Sequence, residues 1–257
     1  MRILCIGDVV GTVGCEFLRK TLPKFKRFNN IDFVICNGEN SADGNGILPT
    51  SAEHIFKSGV DVITLGIHSF QRKEILSYLD EQEFIVRPLN FPSESTPGRG
   101  YSVVDLGRTS VCVINVMGQE LMDTKVENPF YCIDKVLKEV ESKIIIVDVH
   151  AETTSEKKAM GFYLDSKVSA VFGTHTHVQT ADECVLKGGT GYITDVGMTG
   201  PIDSVIGVKK EIIINRFRTK LPERFEYADG ECMLNCVVFD IDEKTGKTKS
   251  VERFDLR

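Results

Sequence analysis

Ser169-Ala170-Val171-Phe172-Gly173-Thr174-His175-Thr176-His177 is a short apolar run that ends in two imidazoles one residue apart. Read as a strand and its exit, it places His175 and His177 together, because an extended backbone sends alternate side chains to one face. The same grammar recurs along the chain. Val62-Ile63-Thr64-Leu65 leads into Gly66-Ile67-His68, and Ile144-Ile145-Ile146-Val147 leads into Asp148-Val149-His150. Nearer the start, Ile3-Leu4-Cys5-Ile6 delivers Gly7-Asp8, and Phe33-Val34-Ile35-Cys36 delivers Asn37-Gly38-Glu39-Asn40. Four of the five histidines therefore sit at strand ends; the fifth, His54 in Ala52-Glu53-His54-Ile55-Phe56, reads as an ordinary helix residue.

In sheets built from βα units, the loops after the strand C-termini converge on one edge, so residues distant in sequence become neighbours there. Taken singly, Asp8 reads as a helix cap or turn residue, Glu39 as a surface carboxylate, and each histidine as a satisfied loop residue. Taken together, mixed carboxylates and imidazoles suit a borderline divalent metal, and there are more of them than the roughly four donors of one closed site. Two metals are the simplest reading. Pairs about 3.5–4 Å apart are what phosphoester hydrolysis employs.

Strand-like and helix-like runs alternate through the first ninety residues, which argues for parallel pairing with right-handed crossovers. Helices are expected at Val13 to Phe28, with Pro23 kinking or interrupting it, at Ser51 to Ser58 capped by Thr50, and at Gln71 to Tyr78. A Pro/Ser/Gly-rich loop from Arg87 to Gly100 precedes a hairpin of Tyr101 to Leu106 and Ser110 to Met117, turning at Gly107-Arg108. Helices from Tyr131 to Val140 and Ser155 to Leu164 flank the His150 strand, Tyr192-Ile193-Thr194 leads into Asp195, and Val208 to Arg218 reads as a helix. Cys232 to Ile241 and Lys249 to Phe254 are late strands. The fold class is α/β: a two-layered β-sheet core flanked by helices, in one domain over 1–257, with room for a small cap within about 197–228 that the sequence alone does not require. Gly7-x-x-x-Gly11-x-x-Gly14 lacks the spacing of a dinucleotide fingerprint, and Asp8 stands where backbone should approach a pyrophosphate.

The 257 residues carry a formal net charge of -6, which gives no general attraction to long nucleic acid or an anionic membrane. Any phosphate-containing ligand is therefore expected to be small and drawn to a local positive site such as bound metal. No apolar run approaches the roughly 20 residues of a membrane span, and Met1-Arg2-Ile3-Leu4-Cys5 enters the first strand without a signal-peptide core, so a cytoplasmic protein is expected. The eight cysteines are scattered, and Cys232-x-x-x-Cys236 has no second pair to complete a zinc site. The sequence leaves a homo-oligomer open.

The series Gly7-Asp8, Gly38-Glu39-Asn40, Gly66-Ile67-His68, Asp148-Val149-His150-Ala151-Glu152 and Gly173-Thr174-His175-Thr176-His177 resembles the motifs of calcineurin-like metallophosphoesterases. The runs Asn37-Gly38-Glu39-Asn40, His150-Ala151-Glu152-x-Thr154-Ser155-Glu156-Lys157, Thr174 to Asp182 and Thr194 to Pro201 resemble its bacterial YmdB-like branch across essentially the whole chain. The resemblance implies the calcineurin-like fold and a cytoplasmic dinuclear-metal phosphodiesterase, with Fe or Mn favoured and Zn compatible. Its substrates would be small phosphodiesters, 2′,3′-cyclic nucleotides above all, opened by metal-activated hydroxide. Asp8, Glu39, Asn40 and His177 would surround one metal, and Glu39, His150 and His175 the other, with Glu39 as bridge and His68 as general acid. Where that family has Gly-Asn-His, this chain has Gly66-Ile67-His68, and Ile67 carries no donor atom. Water or Ser69 is expected to fill the gap, or the second metal to be held weakly. A metal-binding regulatory protein with weak catalysis and a phosphomonoesterase of the same fold are the alternatives.

Overall fold

The computed structural model describes residues 1–92 and 95–257; residues 93–94 of the expected Arg87 to Gly100 loop lie outside the described residues. The chain opens with β1 (Arg2–Ile6), β2 (Asp8–Val9), α1 (Gly11–Phe28), β3 (Phe33–Asn37), α2 (Pro49–Lys57), β4 (Val62–Thr64), α3 (Ile75–Glu81) and β5 (Ile85–Val86). It continues with β6 (Tyr101–Asp105), β7 (Ser110–Met117), α4 (Pro129–Glu139), β8 (Ile144–His150), α5 (Thr154–Leu164), β9 (Ala170–Thr174), β10 (Cys184–Val185) and β11 (Gly191–Ile193). The last part holds β12 (Met198–Pro201), α6 (Lys210–Thr219), β13 (Cys232–Ile241) and β14 (Thr248–Leu256).

The strands form two sheets, one ordered β2-β12-β13-β1-β3-β4-β5 with β14 beside β13, the other β10-β11-β9-β8-β7-β6. The β1-β3-β4-β5 and β7-β8-β9-β11 stretches are parallel, as the alternating pattern requires. Odd-numbered β1 residues Ile3 and Cys5 join Phe33, Ile35, Ile144, Ile146, Ala170 and Phe172 in an apolar layer between the sheets. Their even-numbered neighbours Leu4 and Ile6 turn to the outer layer beneath α1 and α2. The other sheet buries Ile145, Val147 and Val171 against α4 and α5. Both faces of each central strand are covered, which is why these strands read as continuous apolar runs.

The inner layer stays apolar until the strand C-termini, where the same side-chain parity delivers Asn37, Thr64, Asn115, Asp148, His150 and Thr174, all buried. This polar end of the layer is where the site forms.

Several local expectations are corrected. Pro23 does not interrupt α1; Pro23 and Arg19 face solvent, so the Arg19 carbonyl that loses an amide partner is open to water. Helix α2 begins at Pro49, whose fixed φ suits the first helical position, and Thr50 lies inside the helix instead of capping it. Ser51 Oγ accepts from Leu48 N at 3.0 Å there. Helix α3 begins at Ile75 instead of Gln71, after a turn in which Gln71 N donates to His68 O. The short β2 and β12 strands were not foreseen; Gly14 is a glycine because a β-carbon there would meet the Thr199 carbonyl of β12 at 2.5 Å. All eight cysteines are free, with Cys232 and Cys236 buried on β13. Among the described residues no helix is long and apolar enough to cross a membrane.

Candidate metal centre

Asp8, Glu39, Asn40, His68, His150, His175 and His177 converge at the polar end of the inter-sheet layer, whereas His54 stays on α2, 3.5 Å from Glu16. One group contains Glu39, His150 and His175, whose donor atoms all lie within 4.8 Å of one another. Glu39 Oε1 is 3.1 Å from His150 Nε2, which is 3.1 Å from His175 Nδ1. The second group gathers around Asn40 Nδ2, 3.5 Å from Asp8 Oδ1 and 3.2 Å from His177 Nε2. Glu39 Oε1 is 3.5 Å from the same Asn40 nitrogen, so this carboxylate touches both groups.

The expected reason for the His175 and His177 pairing fails. Neither residue is extended; their φ values are 95° and 61°, in the left-handed region that costs a non-glycine residue energy. The reversal aims His175 at Glu39 and His150 and His177 at Asp8 and Asn40, so the two imidazoles serve different groups.

Each of these three imidazoles is oriented from behind. Thr174 Oγ1 donates to Asp148 Oδ1 at 2.8 Å, so it accepts from His150 Nδ1–H at 2.9 Å and leaves the Nε2 lone pair facing inward. His177 Nδ1 donates to the Ile206 carbonyl at 3.0 Å, and His175 Nε2 to Glu152 Oε2 at 3.0 Å. When neutral, all three rings turn an acceptor nitrogen toward two carboxylates, an arrangement that a bound cation or a proton on the ring stabilises. A donated outer N–H is the usual support of a metal-bound histidine. The donor set fits divalent metal ions. A β-carbon at Gly66 would overlap the His150 ring, so glycine there lets the ring close on Glu39.

The titration behaviour carries the same message. Burial alone would raise Asp8, but His177 and His150 beside it, with the His175 N–H, hold it well below the ordinary carboxylate range. Burial likewise opposes ionisation of Glu39, yet His150 and His68 keep its carboxyl low. His150 is disfavoured as a cation by burial, but Glu39 and Asp8 push it up to about 9. His175, buried beside His150, falls to about 3, the neutral state a ligand needs.

Sequence reading named the inner residues and gave no role to those that hold them. Thr174 and Asp148 orient His150, and Asp195 holds the turn between His175 and His177. Asp195 Oδ2 accepts from Thr176 Oγ1 at 2.6 Å and from Lys157 Nζ at 2.7 Å, in a pair that is 0% and 1% exposed. Asp195 follows a strand as Asp8 does, and that placement was its available signal.

A cavity of about 840 Å³ opens on the centre, lined by Glu39, His68, His175 and His177 below and by Ile206, Arg216 and Phe225 above. Ile67, next to His68 in the chain, is half-buried, and the buried Ser69 hydroxyl donates to Gly66 O at 2.6 Å.

Comparison with known proteins gives the arrangement its relatives. Over 255 residues, 98% of this chain and 96% of the other, the sequence is 46% identical to a Bacillus subtilis (strain 168) protein named 2′,3′-cyclic-nucleotide 2′-phosphodiesterase. A crystal structure described as a novel phosphatase from Mycoplasma pneumoniae superposes with a TM-score of 0.95 at 34% identity, covering 100% of this chain and 93% of that one. A hypothetical protein from Thermus thermophilus does so with a TM-score of 0.93 at 40% identity, covering 99% and 98%. The named relatives are hydrolases, and the two sheets flanked by helices are the calcineurin-like metallophosphoesterase fold. The family described as YmdB-like protein matches residues 4–254, and the chain belongs to it.

Proposed function

We propose that this protein is a dinuclear-metal phosphodiesterase that opens 2′,3′-cyclic nucleotides. The observation that carries the reading is the set of three imidazoles, each tied outward and turned inward onto Asp8 and Glu39. Asp8, Glu39, Asn40 and His177 would hold one ion and Glu39, His150 and His175 the other; the mixed nitrogen and oxygen donors accept Fe, Mn or Zn, and the family resemblance favours Fe or Mn. When bound, the pair offsets negative charge on the phosphoryl oxygens and lowers the pKa of water.

The remaining chemistry belongs to the chain. His68 is partly exposed to the cavity, with Nδ1 2.8 Å from Asn40 Oδ1. Asn40 here turns Nδ2 to Asp8 and His177 and Oδ1 to His68; coordination through the amide oxygen would require the amide to turn over, which would bring Nδ2–H to His68 Nδ1 and put the neutral imidazole's proton on Nε2. From there it passes to O2′ as the P–O2′ bond breaks and a water oxygen bonds to phosphorus. The product is a nucleoside 3′-phosphate.

The test is hydrolysis of 2′,3′-cyclic AMP by protein stripped with a chelator and reloaded with Mn²⁺ or Fe²⁺. Activity should vanish on stripping, return on reloading, and stop at adenosine 3′-phosphate. Preferential release of inorganic phosphate from a nucleoside monophosphate would make the protein a phosphomonoesterase instead.

Ile67 favours a second reading, a metal-binding regulatory protein with weak catalysis, because the Glu39, His150 and His175 group gains no donor from it. Replacing it is a restoration experiment. Ile67→Asn should tighten the weaker Mn²⁺ site at least about tenfold in equilibrium dialysis, the lower end of what ligand-supporting groups contribute, and raise turnover with it. Unchanged affinity would show that another donor already completes the site.

A further inference from the structure

The roof of the cavity is a segment that the chemistry above does not use. After α6 the chain runs through Leu221 to Glu226 without regular structure and returns to Val208 by a bridge from Tyr227. Its position is nevertheless fixed. Asn215 Nδ2 donates to Glu223 Oε1 at 2.6 Å, Lys209 Nζ to Glu226 Oε2 at 2.7 Å, and Tyr227 OH to the Gly44 carbonyl at 2.8 Å. Between these ties lies Phe225. It is 39% exposed, belongs to none of the three apolar clusters among the described residues, and lines the same cavity as His68, His175 and His177. The Arg216 guanidinium lies 4.9 Å from its ring centroid.

A large apolar ring held open to water beside a polar site loses the burial that normally justifies it. Backed by a cation on one side, it is suited to receive a flat aromatic on the other, as base-stacking side chains do. We infer that Phe225, supported by Arg216, is the platform on which the nucleobase of the substrate stacks. The inference rests on the phosphodiesterase reading and deepens it: the metal end recognises the cyclic phosphate, and Phe225 selects diesters that carry a base. Stacking tolerates any base, so purine and pyrimidine substrates should both benefit, purines more through their larger face.

The decisive comparison is between 2′,3′-cyclic AMP and glycerol 1,2-cyclic phosphate, which presents the same five-membered cyclic diester without a base. Phe225→Ala should lower kcat/KM for the nucleotide by roughly 5- to 150-fold, the span of single base–aromatic stacks, chiefly through KM. Hydrolysis of the glycerol diester should change less than about twofold, and Phe225→Trp should retain the preference. Equal losses on both substrates, or no loss on the nucleotide, would overturn the platform. The chain contains no tryptophan, so Phe225→Trp also supplies a unique fluorophore. Adenosine 3′-phosphate should quench it and glycerol phosphate should not. Absence of quenching refutes the platform whether or not the enzyme turns over. Quenching without hydrolysis of either cyclic diester would leave the platform standing and refute the phosphodiesterase reading.

Discussion

His68→Ala is expected to lower kcat for 2′,3′-cyclic AMP by roughly 10²–10⁴-fold, the usual scale of general acid catalysis, with metal content at the wild-type level. The two halves of that expectation come from different atoms of one residue. The His68 side chain reaches Asn40 Oδ1 and the cavity, while its backbone N–H donates to Glu39 Oε2 at 2.9 Å. Alanine keeps the backbone donor and so leaves Glu39 placed between the two donor groups. A substrate whose leaving group needs no proton supplies the internal control: bis(p-nitrophenyl) phosphate should lose far less than the cyclic nucleotide. Elemental analysis completes the test. A variant that loses its metals would make His68 a ligand, and one that keeps full turnover would give the proton to another group.

The second large effect is on stability. Lys157→Met should destabilise the fold by about 3–5 kcal/mol, because Asp195 would be left as a buried charge without its cation. In a chain of this size that corresponds to a Tm lower by roughly 6–20 °C. Metal affinity should fall as well. Asp195 accepts from Thr176 Oγ1 and from Gly197 N, and Thr176 is the middle of a turn whose flanking histidines both hold positive φ. Such backbone persists only where its surroundings over-determine it. Adding Asp195→Leu to Lys157→Met removes the orphaned charge, so urea unfolding should show less loss than the two single variants summed. Mn²⁺ binding should not recover with it, because the Thr176 partner is gone. An unfolding midpoint for Lys157→Met equal to that of the wild type would show that the pair contributes nothing.

The inner residues of the site were legible because each follows an apolar run. Side-chain parity along a strand is local, and the convergence of strand C-termini follows from parallel βα units, so Asp8, Glu39, His150 and His175 could be assembled on paper. His68 and Asn40 came with the same strand ends. The roles of Lys157, Thr174 and Asp148 were not legible, since a buried lysine and a buried aspartate look like surface residues until their partners are known. The mistaken basis for pairing His175 with His177 has the same origin: an extended strand was carried three residues past Thr174, into a turn that Asp195 holds from 19 residues away.

By itself, the sequence determined that this chain is an α/β protein whose strand ends present carboxylates and imidazoles, because the period of apolar residues and the composition of the exits are properties of neighbours along the chain. Only the tertiary structure decided that a turn of positive φ, not an extended strand, sends His175 and His177 to different groups, that Asp195 and Thr174 hold it and His150 from behind, and that Phe225 lines the same cavity. These depend on how one sheet packs on the other and on how residues 209–227 fold back over their edge, and contacts of that kind are made between segments that no local pattern pairs.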